Sequence, residues 1–134
     1  MKKPNFVFDS FALLAYLQAE PASLKVKEKL KQARDKDAEV FLSLINLGEI
    51  VYTVEGKLGE DTSREILQDV LTLPIEIAEV TMERVLSAAH IKGRFPISYA
   101  DAFAVALAQE MTATLITGDP EFKRVESLVT IMWI

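Results

Sequence analysis

Residues 5–18 read Asn5-Phe6-Val7-Phe8-Asp9-Ser10-Phe11-Ala12-Leu13-Leu14-Ala15-Tyr16-Leu17-Gln18, and the order of these side chains decides the fold. Asn5 to Phe8 reads as a first strand. From Phe6 it is apolar without alternation, which a strand tolerates only when both faces of its sheet are covered. Asp9-Ser10 breaks the run, and Phe11 to Gln18 reads as a short helix stopped by Glu20-Pro21.

The same alternation continues outward. Ser23 begins a lysine-rich helix to about Lys36, with Leu24, Val26, Leu30 and Ala33 as its apolar positions. Glu39 to Leu42 is a second short strand. Ser43 N-caps a long helix to Lys57 or Leu58, before Gly59. Thr62 to Leu73 reads as a helix ended by Pro74. Ile75 to Val80 contributes a strand, and Thr81 to Lys92 a helix. Gly93 to Pro96 is a loop, and Ser98 caps a helix to about Glu110. Ala113 to Thr117 is an apolar strand, Gly118-Asp119-Pro120 a turn, and Val129 to Trp133 a final strand. Apolar strands separated by helices predict a three-layer α/β/α domain with a central, mainly parallel sheet, residues 1–134 forming one domain.

The chain has 134 residues, half of them apolar and 26% charged, the balance of a globular protein with one core. No apolar run approaches the roughly 18 residues of a membrane span. The charged start Met1-Lys2-Lys3 is followed by an apolar stretch broken at Asp9, which is not a signal-peptide pattern. Cysteine is absent, which excludes disulfides, thiolate metal sites and cysteine nucleophiles. The cytoplasm is the expected location. A net charge of −5 argues against a surface that grips nucleic acid all over. Four acids committed to a metal site would leave the rest of the chain near neutral.

Four acids sit in apolar surroundings. Asp9 directly follows the first strand, at the carboxyl end where open parallel sheets place ligands; a helix N-cap is the competing reading. Asp119 ends the strand Leu115-Ile116-Thr117, and turn chemistry competes there. Both terminate strands of what should be one parallel sheet, so they share an edge. Asp101 is the only charge in Ser98-Tyr99-Ala100-Asp101-Ala102-Phe103-Ala104-Val105-Ala106-Leu107-Ala108. A helix apolar all round is buried, although a capping box with Ser98 also fits. Glu49 has Ile45 and Tyr52 in its helical row, and a surface glutamate is the alternative.

Two carboxylates about 4 Å apart repel by roughly 4 kcal/mol at an effective dielectric near 20. A cluster of them therefore holds protons or a cation, and all-oxygen ligation suits Mg²⁺ or Mn²⁺. Other chemistries are excluded. His90 is the only histidine, so no pair of histidines can act as acid and base. There is no G-x-S-x-G elbow, no P-loop and no G-x-G-x-x-G fingerprint.

Four strings now resemble the PIN-domain family, and in particular the VapC-type toxins of toxin–antitoxin pairs. They are Phe6-Val7-Phe8-Asp9-Ser10, Asn46-Leu47-Gly48-Glu49, Ser98-Tyr99-Ala100-Asp101-Ala102, and Leu115-Ile116-Thr117-Gly118-Asp119-Pro120-Glu121-Phe122. They follow family order and span nearly the whole chain. The resemblance implies a Mg²⁺- or Mn²⁺-dependent endoribonuclease that hydrolyses phosphodiester bonds by water attack. Asp9, Glu49, Asp101 and Asp119 match its acidic ligands, while Thr117 and Ser98 match accessory hydroxyls, with Ser10 a further one. It also implies a homodimer and a cognate antitoxin. Glu121 is an additional acid, read first as part of a helix start after Pro120. Lys92 and Arg94 before the Asp101 helix, and Lys123 and Arg124 after the Asp119 turn, are candidates for holding RNA; ordinary solvated charge competes for all four.

The alternatives are an RNA-processing PIN nuclease without an antitoxin and a catalytically silent RNA-binding or interaction module. A receiver-like signalling domain would want a lysine after a late strand, where Asp119 stands. Haloacid-type phosphoryl transfer would want an acid two residues after Asp9, where Phe11 stands.

Overall fold

The computed structural model describes residues 2–134. Strands β1 (Asn5–Phe8), β2 (Glu39–Ser43), β3 (Glu76–Ala78), β4 (Thr114–Thr117) and β5 (Ile131–Trp133) form a five-stranded sheet in the order β3-β2-β1-β4-β5. Every pairing is parallel; Phe8 lies opposite Leu42 on one side and Ile116 on the other. The helices are α1 (Ser10–Leu17), α2 (Ser23–Arg34), α3 (Leu44–Leu58), α4 (Glu60–Thr72), α5 (Met82–Lys92) and α6 (Tyr99–Glu110), and a 3-10 helix covers Pro120–Val125.

The apolar strands explain the layers. Phe6, Phe8, Val40, Leu42 and Ile116 point to one face and pack with Leu13, Val26, Leu30, Ile50 and Val70 of α1 to α4. Val7, Phe41 and Leu115 point to the other, against Ile91, Phe103, Val105, Leu107 and Phe122. The three-layer α/β/α expectation is met, with a sheet that is wholly parallel. α6 is buried without interruption from Ala102 to Ala108, so its many alanines let it lie close to its neighbours.

Edges of elements differ from expectation. β3 and β5 are shorter than 75–80 and 129–133 because each pairs on one side only. α4 begins at Glu60, before Thr62, since Gly59 at φ 91° turns the chain from α3 straight into it. The turn at Gly118-Asp119-Pro120 continues into the 3-10 helix, with Pro120 supplying a preset φ. Among the described residues, no helix is long and apolar enough to cross a membrane.

The strand order creates the place for a site. After β1 the chain winds outward through β2 to β3, then returns to place β4 on the far side of β1. The crevice at the carboxyl ends of β1 and β4 is a topological switch point, where open α/β sheets bind ligands.

Candidate active site

Asp9 leaves β1 at that switch point and is 2% exposed. Its Oδ1 accepts the Ala12 N–H at 2.8 Å, capping α1, and its Oδ2 accepts the Thr117 hydroxyl from the end of β4 at 2.5 Å. The N-cap reading of Asp9 is thus correct, and it does not exhaust the residue. Burial pushes the carboxyl up to about 7, against the bonds from Thr117 and Ala12, and the charges of Asp101 and Asp119 add to the rise.

Thr117 also accepts the Asp119 N–H at 3.0 Å, so one hydroxyl ties the acid after β1 to the acid after β4. Asp119 caps the 3-10 helix by accepting the Glu121 N–H at 2.9 Å. Glu121 is exposed in the first turn of that helix. Gly118 has no room for a side chain: a Cβ would run into the Phe11 ring and come within 3.0 Å of the Ile134 carbonyl.

Asp101 stands in the first turn of α6, half-buried. Its N–H donates to the Ser98 hydroxyl at 3.1 Å, which is the capping geometry. Its carboxyl is nonetheless raised to about 6, first by burial, which the Ser98 hydrogen bond opposes, and then by the charges of Asp119, Glu49 and Glu121. The charges of Asp101 and Asp119 thus reach Asp9, and those of Asp119, Glu49 and Glu121 reach Asp101. Glu49 itself, half-buried on α3, accepts the Ser10 hydroxyl, which also lies 3.2 Å from the Asn46 carbonyl.

Asn46 opens the string Asn46-Leu47-Gly48-Glu49, but the sequence alone assigns it no role. It is fully buried, donates from Nδ2 to the Ala100 carbonyl at 3.2 Å, and its Oδ1 has no partner. The available signal was a lone amide three residues before Glu49 in an otherwise apolar helical stretch.

The cations divide. Lys92 donates to the Ile97 carbonyl at 2.9 Å and Arg124 to the Pro96 carbonyl at 2.7 Å, so both brace the loop that leads to Ser98. Arg94 lies against the His90 ring, and Lys123 is exposed. Among the described residues, none of the four acids is paired with a lysine or arginine.

The donor set suits a hard divalent cation: all oxygen, with two carboxyls raised first by burial and then by neighbouring acids, and without a basic partner among the described residues. Among the described residues no three carboxylates stand close enough to form a cage by themselves.

The sequence matches the PIN domain family over residues 6–128. No curated protein matches it significantly. Among solved structures, DNA-bound VapBC from Salmonella typhimurium aligns with a TM-score of 0.75 at 15% identity, covering 96% of this chain and 97% of that one. VapBC2 from Rickettsia felis, bound to a DNA fragment from its promoter, gives 0.74 at 17% identity over the same shares. The sarcin-ricin-loop-cleaving toxin VapC20 of Mycobacterium tuberculosis gives 0.69 at 18% identity, covering 90% and 94%. At these identities the likeness is one of fold, and with the match over residues 6–128 it means that the chain belongs to the PIN domain family, a family of nucleases.

Proposed function

We propose that this protein is a metal-dependent endoribonuclease and the toxin of a toxin–antitoxin pair, acting as a homodimer held in check by its antitoxin. One observation carries the nuclease reading: Asp9 and Asp101 lie at a topological switch point with carboxyls lifted to about 7 and about 6 by burial and by neighbouring acids. Acids arranged at that cost serve chemistry better than folding. The toxin reading draws support from likeness to VapBC complexes along almost the full length of both chains.

Asp9, Glu49, Asp101 and Asp119 would hold Mg²⁺ or Mn²⁺. When bound, the ion supplies positive charge against the phosphodiester and lowers the pKa of a water. The chain's own residues do the rest. Thr117 and the Ala12 N–H fix the Asp9 carboxylate, leaving each oxygen a free lone pair. Ser10 orients Glu49, and Ser98 fixes the first turn of α6 beneath Asp101.

The test is cleavage of a mixed RNA pool by protein freed of any partner, with Mg²⁺, Mn²⁺ or chelator. Asp9→Asn and Asp101→Asn, shown to be folded, should each lower the rate at least about 100-fold. Cutting that survives both substitutions or the chelator rules the mechanism out. An inhibitory product of a neighbouring small gene supports the toxin role, and its absence favours an RNA-processing nuclease.

A further inference from the structure

We infer that Asn46 is a positioning residue of the carboxylate site, clamping the first turn of α6 to α3 and so setting Asp101 against Glu49. The inference rests on the nuclease reading above. Asn46 occupies α3 one turn before Glu49, fully buried where α3 packs on α6. Its side-chain amide donates to the carbonyl of Ala100, the residue next to Asp101. Its backbone carbonyl lies 3.2 Å from the Ser10 hydroxyl, which also reaches Glu49. One residue therefore touches the neighbourhoods of Asp101, Glu49 and Ser10, and through Ser10 the turn that follows Asp9.

The orphaned Oδ1 distinguishes positioning from packing. A buried carbonyl without a partner costs more than the single neutral hydrogen bond from Nδ2 returns. Leucine has a similar volume and buries no orphaned oxygen, at the cost of the one bond to the Ala100 carbonyl, so packing alone would be served as well by leucine. What the amide adds is direction. It fixes the roll of α6 against α3 at the turn that carries Asp101. Loss of an outer partner of this kind typically weakens metal affinity or activity 10–100-fold.

The experiment compares full-length wild type, Asn46→Leu and Asn46→Ser. Each is titrated with Mg²⁺ by thermal shift, and its kcat and KM on RNA are measured. Asn46→Leu should melt in chelator at or above the wild-type temperature. Its Mg²⁺ midpoint should rise about 10-fold, and its kcat should fall about 10–100-fold with KM little changed. Asn46→Ser, which is too short to reach Ala100, should show the same kinetic loss. A folded variant within about two-fold of wild type on both readouts overturns the inference. So does failure of both variants to fold, which would make Asn46 a packing residue. If wild type shows neither a Mg²⁺ shift nor cleavage, the nuclease reading falls and takes this inference with it. If wild type responds and the variants match it, only the inference falls.

Discussion

At Asp9, burial and chemistry pull in opposite directions. Its carboxyl protonates at about 7 in the fold against 3.8 when free, so folding favours the neutral acid while a metal site needs the charged one. A carboxyl raised in the folded state contributes stability that is complete below about pH 4 and is lost as pH climbs through about 7. Asp101, raised to about 6, acts with the same sign, and solvent weakens its share because it is only partly buried. The metal-free protein should therefore lose stability between about pH 4 and pH 7, and Mg²⁺ should restore most of it above that range, since protons and cation compete for the same oxygens. Asn can still cap α1 at position 9. In chelator at pH 8, Asp9→Asn should be more stable than wild type by up to about 4 kcal/mol, less whatever its bonds to Ala12 and Thr117 lose, and the advantage should vanish near pH 4. Urea melts across pH measure this; a variant weaker than wild type at pH 8 would show that those two bonds outweigh burial. The acids themselves were legible in the sequence because charge in an apolar run is conspicuous. Asn46 was not, because an uncharged amide looks harmless until α6 closes over α3.

At the scale of elements, the helix ends show where local chemistry was silent. α1, α2 and α6 all finish in the same double hydrogen-bond pattern, with a residue at positive φ just past the cap: Ala19 at 53°, Lys36 at 62° and Thr112 at 49°. After α6, Thr112 N–H donates to Gln109 O and Ala113 N–H to Ala108 O, and the equivalent pairs close α1 and α2. Glycine usually occupies that left-handed position, and none of these three sites has it. No glycine stop marks these three ends, and the expected α2 runs on to Lys36, past its last helical residue Arg34. Strands were easier, since an apolar run declares burial on both faces without help from neighbours. The 3-10 helix after the Gly118-Asp119-Pro120 turn is legible only as a helix start at Glu121, because its buried residues, Phe122 and Val125, are too few to give a helical period. Thr112 is the costliest of the three sites, being β-branched. Thr112→Gly should raise stability by about 1 kcal/mol, read as a higher denaturation midpoint at unchanged slope. Thr112 lies at the opposite end of α6 from Asp101, so cleavage should not change. A lower midpoint would mean that backbone freedom gained by the unfolded chain exceeds the strain relieved.

For the whole molecule, the sheet order sets the acids after β1 and β4 side by side, with those of α6 and α3 in their field, and on the proposed function a net charge of −5 would leave RNA to be held by local cations. The four basic candidates do not stand alike. Lys92 and Arg124 are spent on the carbonyls of Ile97 and Pro96, so removing either should loosen the approach to Ser98 and Asp101 and act on kcat. Arg94, itself in that loop, is exposed against the His90 ring, and Lys123 is exposed with no side-chain bond among the described residues, so on the proposed function both can meet phosphate. A phosphate contact holds substrate and transition state alike, so its loss raises KM and leaves kcat. The double variant Arg94→Ala/Lys123→Ala should raise KM several-fold at low salt with kcat intact. Each lost contact should also reduce the slope of log affinity against log salt by about 0.7. Steady-state cleavage at several salt concentrations separates the outcomes. A fall in kcat would place these two side chains with the loop braces, and unchanged KM and salt slope would leave RNA binding to charges elsewhere on the surface.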